Sequence, residues 1–230
     1  MRRREGSGTK MKIGLVGFAG SGKTTVFNAM TGLDVPVGFG GEMRMGTVKV
    51  PDDRIAGLSA VYSPKKTTYA EMAFCDIPGE HGAEKKGLSA RSLQQIRDQE
   101  ALCFVLRDFP NPVLDTEADP LADLEALHAE CVLSDLEVVE RRLERARKER
   151  APAQEIAAFE TMQLVLEEEQ PLRSLPGTVL DRDLLRGYGF LTDKPLLVAV
   201  NTTEERAGED LSVPLRERIE GLGAAGLVLS

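Results

Sequence analysis

A chain of 230 residues, 42% hydrophobic and with a formal net charge of -8, is long enough for one well-cored domain plus an excursion. The composition carries no collagen, disordered or disulfide-scaffold signature, and its acidic balance argues against a general polyanion binder such as a DNA-binding protein. No stretch reaches membrane-spanning length, and Cys75, Cys103 and Cys131 lack C-x-x-C spacing, so a soluble, cytoplasmic protein with buried free thiols is expected.

Residues 1–10 open with Met1-Arg2-Arg3-Arg4. They imitate the basic start of a secretory leader, but the apolar stretch that follows runs straight into a glycine-rich loop, so a disordered extension is predicted. Lys12-Ile13-Gly14-Leu15-Val16 reads as a strand, and behind it Gly17-Phe18-Ala19-Gly20-Ser21-Gly22-Lys23-Thr24 matches G-x-x-x-x-G-K-[ST] without a gap. Each residue type there has a task. Glycines let successive N–H groups curl inward, Lys23 brings a compact cation to the β- and γ-phosphates, and the Thr24 hydroxyl can coordinate magnesium. A helix from Lys23 to about Met30, periodic in Val26, Phe27 and Met30, adds the positive end of its dipole. Ala19, Gly20, Ser21, Gly22, Lys23, Thr24 and Thr25 are therefore expected to hold a nucleoside triphosphate whose base, ATP or GTP, the loop does not specify.

Further along, short buried-type runs at Thr47–Val50, Met72–Asp76, Ala101–Arg107, Pro195–Asn201 and Ala224–Leu229 are separated by segments long enough for crossover helices. That rhythm predicts an α/β fold with a mostly parallel sheet. The second run ends in Asp76-Ile77-Pro78-Gly79, a D-x-x-G arrangement: a strand-end carboxylate can hold magnesium through water, and a glycine brings its N–H to a γ-phosphate with no Cβ in the way. The polar stretch Glu80 to Gly87 behind it reads as a switch, in which Glu80 or His81 could orient, or take a proton from, an attacking water. From about Leu121 to Gln170 no strand signal occurs. Leu136, Val139, Leu143 and Ala146, then Phe159, Met162 and Leu166 after Pro152, recur three and four apart, which predicts an antiparallel helical hairpin. Arg141, Arg142, Arg145, Arg147, Lys148 and Arg150 near its tip, interleaved with glutamates, fit either a salt-bridged face or an RNA contact. Finally, Asn201-Thr202-Thr203-Glu204 follows the apolar strand at its carboxyl end, the place where ligands bind in open α/β sheets. It is similar to the base-specificity loop N-K-x-D of GTPases. Here Glu204 is one methylene longer than Asp and Thr202 replaces the Lys under the base, while an Asn amide suits adenine's N6 and N7. Asn201, Thr202 and Glu204 are therefore the predicted base-side residues.

With these motifs in order, the chain resembles the YchF, or Obg-like ATPase, family, a branch of the translation-factor-related GTPases. The resemblance runs from Met11 to Ser230 and is carried by Phe27-Asn28-Ala29-Met30-Thr31-Gly32, Gly46 to Arg54, Pro64-Lys65-Lys66, Phe74-Cys75-Asp76-Ile77, Ile96-Arg97-Asp98, Asp119 to Asp123, Leu133 to Glu137, Leu184 to Gly187 and Asn201 to Glu204. It implies a Ras-like G domain formed by 11–120 and 187–230, a coiled-coil hairpin inserted at 121–186, preference for ATP over GTP, and association with ribosomes. It also implies a further base-contacting loop, a last helix and a C-terminal TGS domain beyond Ser230, so a truncated G-domain end is expected. Departures concern catalysis. The family's Asn-Val before Gly-Lys is Gly20-Ser21 here. Its Thr-Ile-Glu-Pro-Asn segment is missing between Thr31 and Gly46, with Gly40 near the place of the sensing threonine. Its apolar residue after the D-x-x-G glycine is Glu80, and its catalytic histidine has no counterpart between Pro110 and Asp119. The expected function is a magnesium-dependent nucleotide switch that slowly hydrolyses ATP or GTP. The alternatives are a hydrolysis-deficient sensor, or a scaffold whose hairpin docks a protein or RNA.

Overall fold

The computed structural model describes residues 10–38, 41–79, 88–114, 116–177, 185 and 187–230. Six strands, β1 (Met11–Val16), β2 (Arg44–Lys49), β3 (Glu71–Asp76), β4 (Ala101–Asp108), β5 (Leu196–Thr202) and β6 (Ala225–Leu229), form one sheet in the order β2-β3-β1-β4-β5-β6. All pairings are parallel except that of β2 with β3. The expected mostly parallel α/β sheet is thus present. Its antiparallel edge has a physical cause: the chain leaving helix α1 (Lys23–Thr31) returns to the carboxyl end of the sheet before β2 begins. Arg44 pairs there with Asp76, the last residue of β3, so β2 must run backward.

Alternation along the strands divides the core between the two faces. Leu102, Phe104 and Leu106 of β4 join one cluster with Ile96, Leu124 and Leu127, while Cys103 and Val105 join Val26, Phe27 and Phe74 on the face covered by α1. Because β4 lies between two parallel neighbours and is covered on both faces, it is apolar almost throughout and buried from Ala101 to Arg107. The strand order reverses at β1: β3 lies on one side and β4 on the other. The loop after β1 therefore opens into the crevice at the carboxyl ends of the strands. Cys75, Cys103 and Cys131 are free and buried as expected, and burial pushes the Cys103 thiol up to about 12.

Among the described residues the other helices are α2 (Asp53–Tyr62), α3 (Ala90–Arg97), α4 (Pro120–Glu149), α5 (Ala153–Glu167) and α6 (Val213–Gly221), with single 3-10 turns at Leu172–Ser174 and Glu204–Arg206. Among the described residues no helix is long and apolar enough to cross a membrane. Helix α4 serves two cores. Its first turns put Leu124, Leu127 and Cys131 against the sheet; farther on, Val132, Val139 and Leu143 meet Phe159, Met162 and Leu166 of α5. Each such fully buried apolar side chain contributes about 1.5–3 kcal/mol. Pro152 caps α5, where its missing N–H costs nothing. The basic tip is engaged locally: Arg142 pairs with Glu155, Arg147 with Glu160 at 2.7 Å, Arg145 with Glu149 and Lys148 with Glu144. Lys10 joins Glu71 at 2.7 Å, while residues 1–9 lie outside the described set.

An ionic hub pins α4 to the rest. The Asp135 carboxylate, fully buried, accepts from the Leu191 and Thr192 N–H groups, the Thr192 hydroxyl and the Arg97 guanidinium. Arg97 also donates to the Ser134 carbonyl at 2.8 Å. Ahead of α3, the Leu88 N–H donates to Glu130 at 3.3 Å. The chain is therefore hydrogen-bonded to α4 both two residues before α3, at Leu88, and at the last residue of α3, Arg97.

Candidate functional site

The phosphate-loop sequence folds as its glycines require. Gly20 and Gly22 adopt φ of 80° and 90°, the left-handed region that favours glycine. At Gly17 a Cβ would stand 2.4 Å from the Val105 carbonyl oxygen, so the loop lies against β4 at a distance only glycine allows. Gly22 caps α1 without offering a side chain to the first-turn N–H groups, leaving those donors and the helix dipole directed at the crevice.

Lys23 is buried and donates to the carbonyls of Gly17 and Phe18, both at 2.8 Å. Burial lowers its ammonium from 10.5 to about 8, opposed by the nearby Asp76 carboxylate. The Thr24 hydroxyl donates to Asp76 Oδ2 at 2.8 Å, and the buried Asp76 Oδ1 has no hydrogen-bond partner. A threonine hydroxyl beside an under-satisfied carboxylate is an oxygen donor set that suits magnesium, which binds through one or two protein oxygens and completes its shell with water and phosphate. Gly79 closes the constellation: a Cβ there would meet Ala19 N and Lys23 Nζ, each at 2.8 Å. The D-x-x-G glycine thus touches the phosphate loop itself.

Ala19, Gly20, Gly22, Lys23, Thr24, Thr25, Asp76 and Gly79 line one cavity of about 320 Å³. The Ser21 side chain turns inward instead, buried and with its hydroxyl unpartnered. Asn201 stands behind the loop rather than on the cavity wall. Its Nδ2 donates to the Ser21 carbonyl at 3.1 Å, and only glycine fits at position 22, where a Cβ would come within 2.1 Å of that nitrogen. Thr202 is buried and directs its hydroxyl to the Asp108 carbonyl at 3.2 Å, and Glu204 is exposed in the 3-10 turn. Glu80 and His81 lie outside the described residues, as does Gly40.

The rest of the cavity lining, Val37, Glu42 and Arg44 from the segment before and into β2 and Phe109, Asn111 and Val113 after β4, was not anticipated from the sequence. Asn111 carried a local signal, an Asn before Pro, and its Oδ1 accepts the Val113 N–H at 3.1 Å in a turn. Arg44 carried none, since its place depends on the β2–β3 pairing. Asn28 braces the same segment by a two-way bond with Val35, at 2.8 and 3.1 Å.

Comparison with known proteins agrees with this geometry. A family model described as 50S ribosome-binding GTPase matches residues 12–139. The chain is 32% identical to the ribosome-binding ATPase YchF of Bacillus subtilis over 95% of its own length and 65% of that protein's. It is 34% identical to the YchF of Haemophilus ducreyi over 84% of this chain and 57% of that one. The solved structure of the Schizosaccharomyces pombe YchF GTPase superposes with a TM-score of 0.80 at 25% identity, covering 96% of this chain and 65% of the other. The chain therefore spans 57 to 65% of the length of these relatives.

Proposed function

We propose, since the chain belongs to the 50S ribosome-binding GTPase family and within it to the YchF branch, that it is the nucleotide-responsive part of a switch. In this reading 11–120 and 187–230 form a G domain with a hairpin inserted at 121–186. The site binds a nucleoside triphosphate with magnesium, ATP ahead of GTP, and slowly hydrolyses it to the diphosphate and phosphate. The observation that carries this is the meeting of the phosphate loop, the Thr24–Asp76 pair and Gly79 around one cavity.

Each residue has a task in that reaction. The loop N–H groups and the α1 dipole take the β-phosphate, and Lys23 leaves its two carbonyls for the β- and γ-oxygens. Thr24 and Asp76 would hold magnesium, which supplies charge neutralisation at the phosphates when bound. Gly79 offers its N–H to the γ-phosphate. Glu80 or His81 takes the role of orienting a water whose oxygen bonds to the γ-phosphorus as the bridge to the β-phosphate breaks. The preference for ATP is supported by the sequence of the base-side loop, where Thr202 and Glu204 stand in place of the Lys and Asp of the guanine-reading N-K-x-D pattern. Movement of 33–46 and 77–90 with nucleotide state, cytoplasmic residence and work at the ribosome complete the reading; the relatives' names, which include ribosome binding, support the last. A hydrolysis-deficient sensor is the second reading, favoured by the lack of any histidine between Pro110 and Asp119.

Competition binding of ATP and GTP analogues, with and without magnesium, tests the proposal. Magnesium-dependent triphosphate binding that Lys23→Ala abolishes is expected; binding indifferent to both would refute it. Phosphate release above the Lys23→Ala background separates the switch from the sensor.

A further inference from the structure

Arg44 has no role in the motifs that define the site, yet it lines the same cavity. As the first residue of β2 it pairs in register with Asp76, and directly opposed residues in an antiparallel pair project to the same face. That face is the one α1 covers. Two residues on, a Cβ at Gly46 would lie 2.5 Å from the Thr31 side chain of α1, and Phe74, the partner of Gly46, belongs to the α1-side core. The intervening Met45 is 58% exposed. Arg44 therefore shares a face with the Asp76 carboxylate that binds Thr24, and it lines the same cavity as Lys23 and Thr24.

Its guanidinium is lightly engaged. One nitrogen donates to the Pro36 carbonyl at 3.1 Å, and no carboxylate among the described residues forms an ion pair with it. A guanidinium has five N–H donors, so most remain for an anion without breaking that bond. The wall also carries Glu42, whose negative charge opposes a phosphate. Arg44 is what makes this side of the cavity compatible with the end of a polyphosphate chain.

We propose that Arg44 is a γ-phosphate contact supplied by the chain itself, from the start of β2 on the cavity that Lys23 also lines, so that the site distinguishes triphosphate from diphosphate through β2. This rests on the triphosphate reading above. The residue bonds the terminal oxygens while Pro36 holds its other edge, which couples the segment before β2 to the presence of the third phosphate. A guanidinium is planar and always charged, and its fork matches phosphoryl oxygens better than an ammonium does.

The test is titration of the full chain, with magnesium, using fluorescent ADP and a non-hydrolysable ATP analogue, for the native sequence, Arg44→Ala, Arg44→Lys and Arg44→Gln. Loss of a charge-assisted hydrogen bond predicts triphosphate affinity falling about tenfold or more in Arg44→Ala, with the diphosphate changing less than about twofold on the same scale. Arg44→Lys recovers part of the difference. Arg44→Gln removes the charge while keeping a polar, neutral side chain at the strand edge, shorter than arginine's, so with unfolding curves run alongside it separates phosphate contact from folding of that edge. An unchanged triphosphate-to-diphosphate ratio in Arg44→Gln overturns the inference while leaving the site's assignment intact. Failure of the native chain to bind either nucleotide overturns the site and the inference together.

Discussion

Triphosphate binding at this site should draw a proton from solvent, because Lys23 is neutral over part of the alkaline range until a polyanion arrives. In the folded chain burial holds its ammonium at about 8 rather than 10.5, a difference on the order of 3 kcal/mol against the charged form. Phosphate oxygens beside the ammonium restore the charged state and raise its pKa. Below pH 8 Lys23 is already charged and affinity is flat with pH. Above pH 8 each binding event must protonate it, so affinity falls by up to about tenfold per pH unit until the bound-state pKa is reached. Calorimetric titration at pH 9 in two buffers of different ionisation enthalpy should show uptake of about 0.9 proton, the neutral fraction expected for a pKa of about 8. Lys23→Arg, charged throughout, should bind with no such uptake, whatever its affinity. An affinity constant from pH 7.5 to 9.5, with no buffer dependence of the heat, would refute the reasoning. The same group sets a stability trend of definite sign. Between pH 8 and 10.5 the unfolded chain holds the proton that the folded chain has released, so this contribution makes the fold more stable as pH rises. Lys23→Met should lack that rise in chemical-denaturation curves.

Asp76→Asn keeps an acceptor for the Thr24 hydroxyl but removes the charge that would hold magnesium through water, so the magnesium requirement should weaken by about 10–100-fold, read as the metal concentration giving half-maximal nucleotide binding. Gly79→Ala places a methyl 2.8 Å from both Ala19 N and Lys23 Nζ; it should cost about 1–3 kcal/mol of stability and depress triphosphate binding more than diphosphate binding, and equal losses would count against a γ-phosphate role. Asp135→Ala orphans the Leu191 and Thr192 donors and leaves Arg97 without its carboxylate, for which about 3–5 kcal/mol of destabilisation is expected by urea unfolding. A loss below about 1 kcal/mol, the scale of an exposed pair, would mean that the hub is not the lock between α4 and the rest of the fold.

What the chain's own order of residues determined here is whatever depends on neighbours in sequence. The phosphate loop was legible because its glycines, Lys23 and Thr24 act within one turn. The central strands were legible because two-sided burial in a parallel sheet demands unbroken apolar runs such as Ala101 to Leu106. The hairpin stripes followed from helical periodicity, and Val139, Leu143, Phe159, Met162 and Leu166 are buried as that periodicity predicts. Met30, placed on the same reasoning in α1, is 40% exposed. Only the tertiary structure decided the rest. It made β2 antiparallel, brought Asp76 to Thr24 across 52 positions of sequence and Asn201 to Ser21 across 180, and divided α4 between two cores. It also brought Arg44 onto the cavity that Lys23 lines. None of these leaves a local signature, since the side chain is specified by its own residue while its partner is set by strand order and register. The triphosphate loop could be read from eight consecutive residues; the wall that senses the third phosphate in our reading required the sheet.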